Sequence, residues 1–199
     1  MSQQELSGAS SHRDAVDVLN ADHYEIELLL AEVRSGEALP GDSTGERHLS
    51  VAIAELARHI VIEEEYLYPL AQEVVPDGHR LAAEGVRQGR QAEEVMKRLE
   101  AATPTAERAS LVDELVGILA RHVQLTEGDL FPALRQECEP DQLEHLAGVL
   151  ELARRTAPSH AHPGAPHDTP WNQILAPGIG LVDKVRDAVR GRPTRPEDL

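Results

Sequence analysis

Two stretches of this chain share one frame. Residues 58–73 read RHIVIEEEYLYPLAQE, and residues 121–137 read RHVQLTEGDLFPALRQE. Superposed without a gap, His59 falls on His122, Leu67 on Leu130, Tyr68 on Phe131 and Pro69 on Pro132. In both copies ten residues separate the histidine from the proline. An internal repeat of this kind fixes two elements in the same register, and any chemistry lies between them.

Apolar residues recur at alternating three- and four-residue steps, the period of one helix face. Val16, Leu19, His23, Ile26, Leu30 and Val33 predict a first helix from near Ser11 to Gly36. Leu49, Ala52, Leu56, His59, Glu63, Tyr66 and Leu70 predict a second, starting at Ser43 or Thr44 and closed by Pro76-Asp77-Gly78. Pro69 lies inside it and is expected to bend it or tighten its last turns, because proline lacks a backbone donor. A third helix over 79–102 carries Leu81, Gly85, Gln88 or Gly89, Ala92, Val95 or Met96, and Leu99 on its stripe. Its two glycines cost roughly 1 kcal/mol each against alanine. A fourth over 105–137 has the stripe Leu111, Leu115, Ile118, His122, Leu125 and Asp129.

Four amphipathic helices with short connections predict an all-α, up-down-up-down four-helix bundle. Residues 1–10 read as a disordered lead-in, and 11–155 as the bundle plus a short helix after Pro140. Residues 156–199 read as a Pro/Gly/His-rich tail with one short amphipathic helix, LVDKVRDAVRG, and a loose end, RPTRPEDL. Only 3% of the 199 residues are aromatic while 41% are hydrophobic, so the core is aliphatic, which suits helices.

Charge narrows the partners. Nineteen Lys and Arg against 35 Asp and Glu give a formal charge of −16, which repels nucleic acid and anionic membranes. The single cysteine, Cys138, excludes an internal disulfide and a thiolate metal cluster. No run of 18 apolar residues exists to span a membrane. The polar N-terminus has no signal-peptide apolar region, so the expected compartment is the cytoplasm. No serine–histidine–aspartate frame, phosphate loop or nucleotide fingerprint is present. Oligomeric state has no signal in the chain.

His23, His59 and His122 occupy stripe positions on three different helices, and Glu63 joins them one turn from His59. Each lies near the middle of its helix, so an antiparallel bundle can bring all four to one level. A lone histidine on an apolar face is usually a hydrogen-bonded core residue. Three at one level with a buried glutamate are a different case, because a buried carboxylate is expensive unless paired or metal-bound. Imidazole and carboxylate are the usual ligands of iron, manganese and zinc. Three other histidines, His160, His162 and His167, sit in the tail segment SHAHPGAPH, which reads as solvated. Tyr24 and Tyr66 flank the site and read as packing residues.

These residues give the chain a resemblance to the hemerythrin-like, or HHE cation-binding, family over roughly residues 12–137. Ala21-Asp22-His23 resembles the family's first-helix motif, residues 58–69 its His-x-x-x-Glu motif ending in Leu-Tyr-Pro, and residues 121–132 the frame of its fourth-helix motif. The resemblance implies a four-helix bundle with a non-haem diiron site. Two family positions differ. The third helix carries Gln88-Gly89, with Gly85 one turn earlier, where the family has a histidine. His79 is ten residues before Gly89, about 15 Å along the axis, too far to replace it. The bridging glutamate of the fourth helix becomes Thr126.

Glu127 lies five residues after His122, a spacing the hemerythrins proper use for a His and an Asp ligand. On a regular helix it points about 140° away from His122. A π-bulge, eased by Gly128, would turn it inward; otherwise it is a solvated surface acid. The metal-ligand set expected is therefore His23, His59, Glu63, His122 and Glu127. It suits non-haem iron, mononuclear or as an incomplete diiron centre, with a small diatomic molecule or peroxide as ligand. A structural zinc is disfavoured by the lack of a closed four-ligand motif. The alternative is a bundle that has lost its metal and serves as an interaction or sensor module, as the small residues Gly85, Gly89 and Thr126 would suit.

Overall fold

A computed structural model describes residues 13–35, 43–102, 106–155 and 193–199, and these are all-α. The first helix, α1 (Ala15–Ser35), is followed by α2 (Ser43–Ile62), α3 (Tyr68–Val74), α4 (Gly78–Ala101), α5 (Ala106–Leu125), α6 (Phe131–Glu137) and α7 (Pro140–Ala153). Short π-helical segments, Glu63–Leu67 and Thr126–Leu130, join α2 to α3 and α5 to α6, so each pair forms one continuous leg. No described helix is long and apolar enough to cross a membrane. The expected lead-in, the His160–His167 segment and the helix LVDKVRDAVRG lie outside the described residues.

Cross-helix pairs run in opposite senses along neighbouring legs. Asp14 meets Arg135, His23 meets His122 and Arg34 meets Asp113, so α1 is antiparallel to the α5–α6 leg. His48–Glu32 and His59–His23 set α2 against α1 in the same way. Arg98–Glu114 ties α4 to α5. Leucine, valine, isoleucine and alanine fill the interior in two clusters. One includes Val16, Leu19, Leu67, Leu130, Phe131 and Leu134. The other includes Ile26, Leu30, Leu56, Met96, Leu99 and Leu115. His23, His59 and His122 form the layer between them.

Pro69 does not tighten the last turns of its helix: the turn before it widens, and the Tyr68 N–H bonds to Glu63 O instead of one residue later. A proline ring collides with the carbonyl four residues earlier, and the wider turn relieves that collision. Pro132 does the same, with Phe131 N–H bonded to Thr126 O. The extra residue shifts the phase of each leg. The stripes expected through Tyr66 and Leu70, and through Leu125 and Asp129, are replaced by fully buried Leu67, Tyr68, Leu130 and Phe131, while Asp129 is exposed.

Other ends are set by local chemistry. The first helix starts at Ala15, not near Ser11, because Asp14 caps it. Asp14 Oδ1 accepts from Asp17 N at 2.8 Å and Asp17 Oδ2 accepts from Asp14 N at 3.1 Å. Gly78 admits the α3–α4 turn: a Cβ there would lie 1.8 Å from the Ala71 carbonyl oxygen. The α7 helix begins with a capping box between Glu139 and Gln142 and packs Leu143, Leu146 and Leu150 into the first cluster. The final residues are not loose as the sequence suggested: Thr194 O accepts a hydrogen bond from buried Arg58, and Pro196–Asp198 forms a 3-10 turn.

Arg135 grips Asp14 at 2.9 and 3.0 Å and Asp17 at 2.6 Å, closing α6 onto the start of α1. Burial works upward on the Asp14 carboxyl, but the Arg135 guanidinium and the Asp17 amide outweigh it and hold it below 3.8. A lowered folded-state value means the contribution is present above pH 3.8 and is lost as pH falls through the folded value. Asp14→Ala should therefore cost about 1 kcal/mol near neutral pH. The gap between its melting curve and that of the parent should narrow as pH falls below 3.8 and through the lowered folded-state value. A gap that widens as the solution is acidified would contradict this.

Candidate metal centre

The histidine layer is tight. His23 Nε2 lies 3.1 Å from His59 Nε2, which lies 3.4 Å from His122 Nε2. Glu63 Oε1 stands 3.3 Å from His59 Nε2, and Oε2 stands 3.1 Å from His122 Nε2. All four residues are buried, and their donor atoms lie within 4.8 Å of one another. Three ring nitrogens that face each other cannot all be satisfied by hydrogen bonds among themselves, since each contact needs one donor and one acceptor. Glu63 Oε1 is buried without a hydrogen bond among the described residues. A cation at the centre resolves both problems. Metal–ligand bonds of about 2.1 Å put adjacent donors about 3.0–3.4 Å apart, which is the spacing here.

The far sides of the rings are organised as well. Glu127 Oε1 lies 2.8 Å from His23 Nδ1, and Asp22 Oδ2 lies 3.7 Å from His59 Nδ1. A carboxylate at Nδ1 favours the proton there and leaves Nε2 as a lone-pair donor toward the layer. The Phe131 ring stacks on His23, with centroids 5.8 Å apart and 10° between planes. The structure thus brings His23, His59, Glu63 and His122 together. The π turn does carry Glu127 inward, but onto the outer nitrogen of His23 and outside the convergent set, with its side chain 41% exposed.

Electrostatics fit a cation pocket. Burial and the neighbouring imidazoles His59 and His122 push His23 down to about 2. Burial lowers His59 too, but Glu63 and Asp22 outweigh it and raise it to about 10. Burial favours the neutral Glu63 carboxyl, yet His122 and His59 hold it well below the usual carboxylate range. The carboxylate therefore stays ionised, and in the metal-free protein the compensating proton sits on His59. A metal ion competes with that proton.

One site residue was missed by sequence reasoning. Tyr68, not Tyr66 or Tyr24, reaches the centre: its O–H donates to Glu63 Oε2 at 2.7 Å. Tyr24 is 69% exposed. The available signal was the repeat itself, which pairs Tyr68 with the ring-stacking Phe131. Opposite Tyr68 on α4 stands Gly85, where a Cβ would meet the phenol oxygen at 2.3 Å. A cavity of about 10 Å³ follows this face, lined by Glu63, Tyr68, Gly85, Gln88, Gly89 and His122. Glu64 lines it too. Gln88 and Glu93 are buried on α4 but are not in the convergent set.

Comparison with known proteins agrees with this geometry. Residues 12–134 match the family model of the hemerythrin HHE cation binding domain. An uncharacterized hemerythrin-like protein of Schizosaccharomyces pombe is 24% identical over 181 residues, covering 89% of this chain and 87% of the relative. A DNA nickase of Nostoc sp. is 24% identical over 139 residues, 69% of this chain and 38% of the relative. No solved structure matches the chain. With most of the bundle covered by the family model, the chain belongs to the hemerythrin HHE cation-binding family.

Gly85→Ala tests how closely Tyr68 is held. The added methyl forces the phenol off Glu63, and overpacking of this kind costs about 1–3 kcal/mol. We expect a lower melting temperature for Gly85→Ala and little recovery in Gly85→Ala/Tyr68→Phe, because the added methyl would still lie 2.5 Å from the ring carbon Cζ. Equal melting temperatures for Gly85→Ala and the parent would refute the contact.

Proposed function

We propose that this protein is a non-haem iron protein that holds one metal ion with His23, His59, Glu63 and His122 and uses it to handle or sense a small diatomic molecule or peroxide. The observation that carries the reading is the three-nitrogen, one-carboxylate layer with a cavity of about 10 Å³ against Glu63 and His122. That is room for one water-sized molecule. Neutral imidazoles and one carboxylate suit a divalent iron ion and leave coordination positions unfilled by protein. Iron in this place would supply a redox-active Lewis acid beside the cavity.

The chain's own groups define what can enter. Burial and the charge of Glu63 keep the Tyr68 hydroxyl protonated, and its single O–H is given to Glu63 Oε2, so toward the cavity it offers an oxygen lone pair. Gln88 Oε1 is buried in the same wall without a hydrogen-bond partner among the described residues, and can accept from a small ligand. The two apolar clusters exclude bulk water. Glu127 orients His23 in this reading and does not ligate the metal. The nickase relative extends well beyond the region it shares with this chain, and a charge of −16 opposes a DNA backbone, so we do not extend its activity here.

Metal analysis of protein grown with iron tests the assignment. The parent should hold about one iron per chain. His59→Ala and Glu63→Ala should hold almost none, because each removes a central donor. His122→Ala should retain a weakened site. Glu127→Ala should still hold one iron, more loosely, as expected for a residue that orients a ligand. Two irons per chain in the parent, or unchanged iron in Glu63→Ala, would defeat the single-metal reading. Stable, folded protein with no metal would favour the interaction-module alternative.

A further inference from the structure

Outside the donor layer a second buried charge cluster surrounds His59. Asp22, Glu55 and Arg58 are each nearly inaccessible. Arg154, at the end of α7, reaches Asp22 Oδ1 at 2.9 Å, while the other oxygen of Asp22 faces His59 Nδ1 at 3.7 Å. The second arm of Arg154 lies 3.7 Å from Glu25 and 3.8 Å from Glu55. Glu55 in turn holds Arg58 at 2.6 and 3.3 Å, and Arg58 also donates to the Thr194 carbonyl.

We infer that Arg154 is a positioning residue for the metal site, acting through Asp22 on His59. This rests on the metal reading above. When His59 ligates through Nε2, its remaining proton sits on Nδ1 and faces Asp22. These are ion-pair contacts, since neither Asp22 Oδ1 nor His59 Nδ1 makes a hydrogen bond among the described residues; the attraction of the guanidinium for Oδ1 keeps the other oxygen, Oδ2, turned toward the ring. Arg154 also places a positive charge against Asp22, which is 5% exposed. Glu55, itself paired with Arg58, stands near the second arm of Arg154 from α2, as Glu25 does from α1. The family match ends at residue 134, so Arg154 and Thr194 lie beyond it. The segments after the four-helix bundle thus reach back and set the donor strength of one ligand inside it.

Cobalt(II) is the probe, titrated into metal-free protein and followed by its visible absorption. Arg154→Ala should weaken cobalt binding about tenfold, the lower end of the range for residues that orient a metal ligand, because Arg154 acts one contact away from His59. In the Asp22→Ala background the same substitution should change affinity less than twofold, because Arg154 then has nothing to act through. Arg154→Lys, which keeps the charge on Asp22, should recover most of the affinity. A merely structural Arg154 would lower the melting temperature and leave cobalt affinity unchanged, and that result overturns the inference. So does an equal fold-loss in both backgrounds. If Arg154→Ala does not fold, Arg154→Met, which keeps the packed stem, carries the same expectations. Parent protein that takes up no cobalt would overturn the metal reading itself, and is distinguishable because no variant is then needed to see it.

Discussion

Glu63 is an ionised carboxylate at 1% exposure, and the bundle is built around satisfying it. Taking such a group out of water costs several kcal/mol even after relaxation. Its neighbours are arranged to return that energy. Two imidazoles stand against its oxygens, a phenol donates to one of them, and a third imidazole closes the layer. With a proton on His59 the cluster is tolerable; a divalent cation would also satisfy the ring nitrogens that face one another. Packing supports the same end. Aliphatic clusters on both sides keep the dielectric low, which strengthens each of these contacts and makes any missing one costly.

The carboxylate reaches this position through two prolines. Each forces a five-residue π segment into its leg, and each segment opens at the residue that matters: Glu63 in one copy, Thr126 in the other. The copies then diverge. In the first, the carboxylate enters the layer. In the second, the Thr126 hydroxyl donates to the His122 carbonyl at 2.9 Å, satisfied within its own helix, and contributes nothing to the centre. Glu127, the next residue, is swung by the wider turn onto His23 from outside. One backbone distortion therefore yields a ligand in one leg and an orienting carboxylate in the other.

Much of this was written in the sequence. The helical period located the legs, and His23, His59, Glu63 and His122 stood out because polar residues on an apolar stripe are informative. What the period could not show was the loss of phase beyond each π turn, which exchanged Tyr66 for Tyr68 and exposed Asp129. A constant 3.6-residue repeat has no term for an inserted residue, although the shared Leu-aromatic-Pro ending marked where one was needed. Arg58 and Glu55 lie off the stripe that the period marked. They are buried all the same, and their partners Arg154 and Thr194 come from far along the chain, a tertiary effect with no local pattern. Arg154 was invisible for the same reason: its partners come from α1 and α2, far away in the chain.

The α4 leg shows why the loss of one family ligand did not leave a void. Gly85 and Gly89 lack side chains where the resemblance implied a metal-binding histidine. Glycine in a helix interior is unfavourable by roughly 1 kcal/mol, so the choice needs a packing reason. The reason at Gly85 is Tyr68, whose ring lies where any larger side chain would stand. At Gly89 a Cβ would come within 3.1 Å of Ile60. Small residues on α4 thus let α2 and α3 approach, and Tyr68 fills the side of Glu63 where a second metal would have to sit. Only about 10 Å³ remains there. A second ion would find Glu63 Oε2 already bonded to Tyr68 and a wall without further convergent donors. The same change leaves a pocket of single-molecule size beside Glu63, with the Tyr68 phenol oxygen on one wall and the Gln88 amide acceptor on the other.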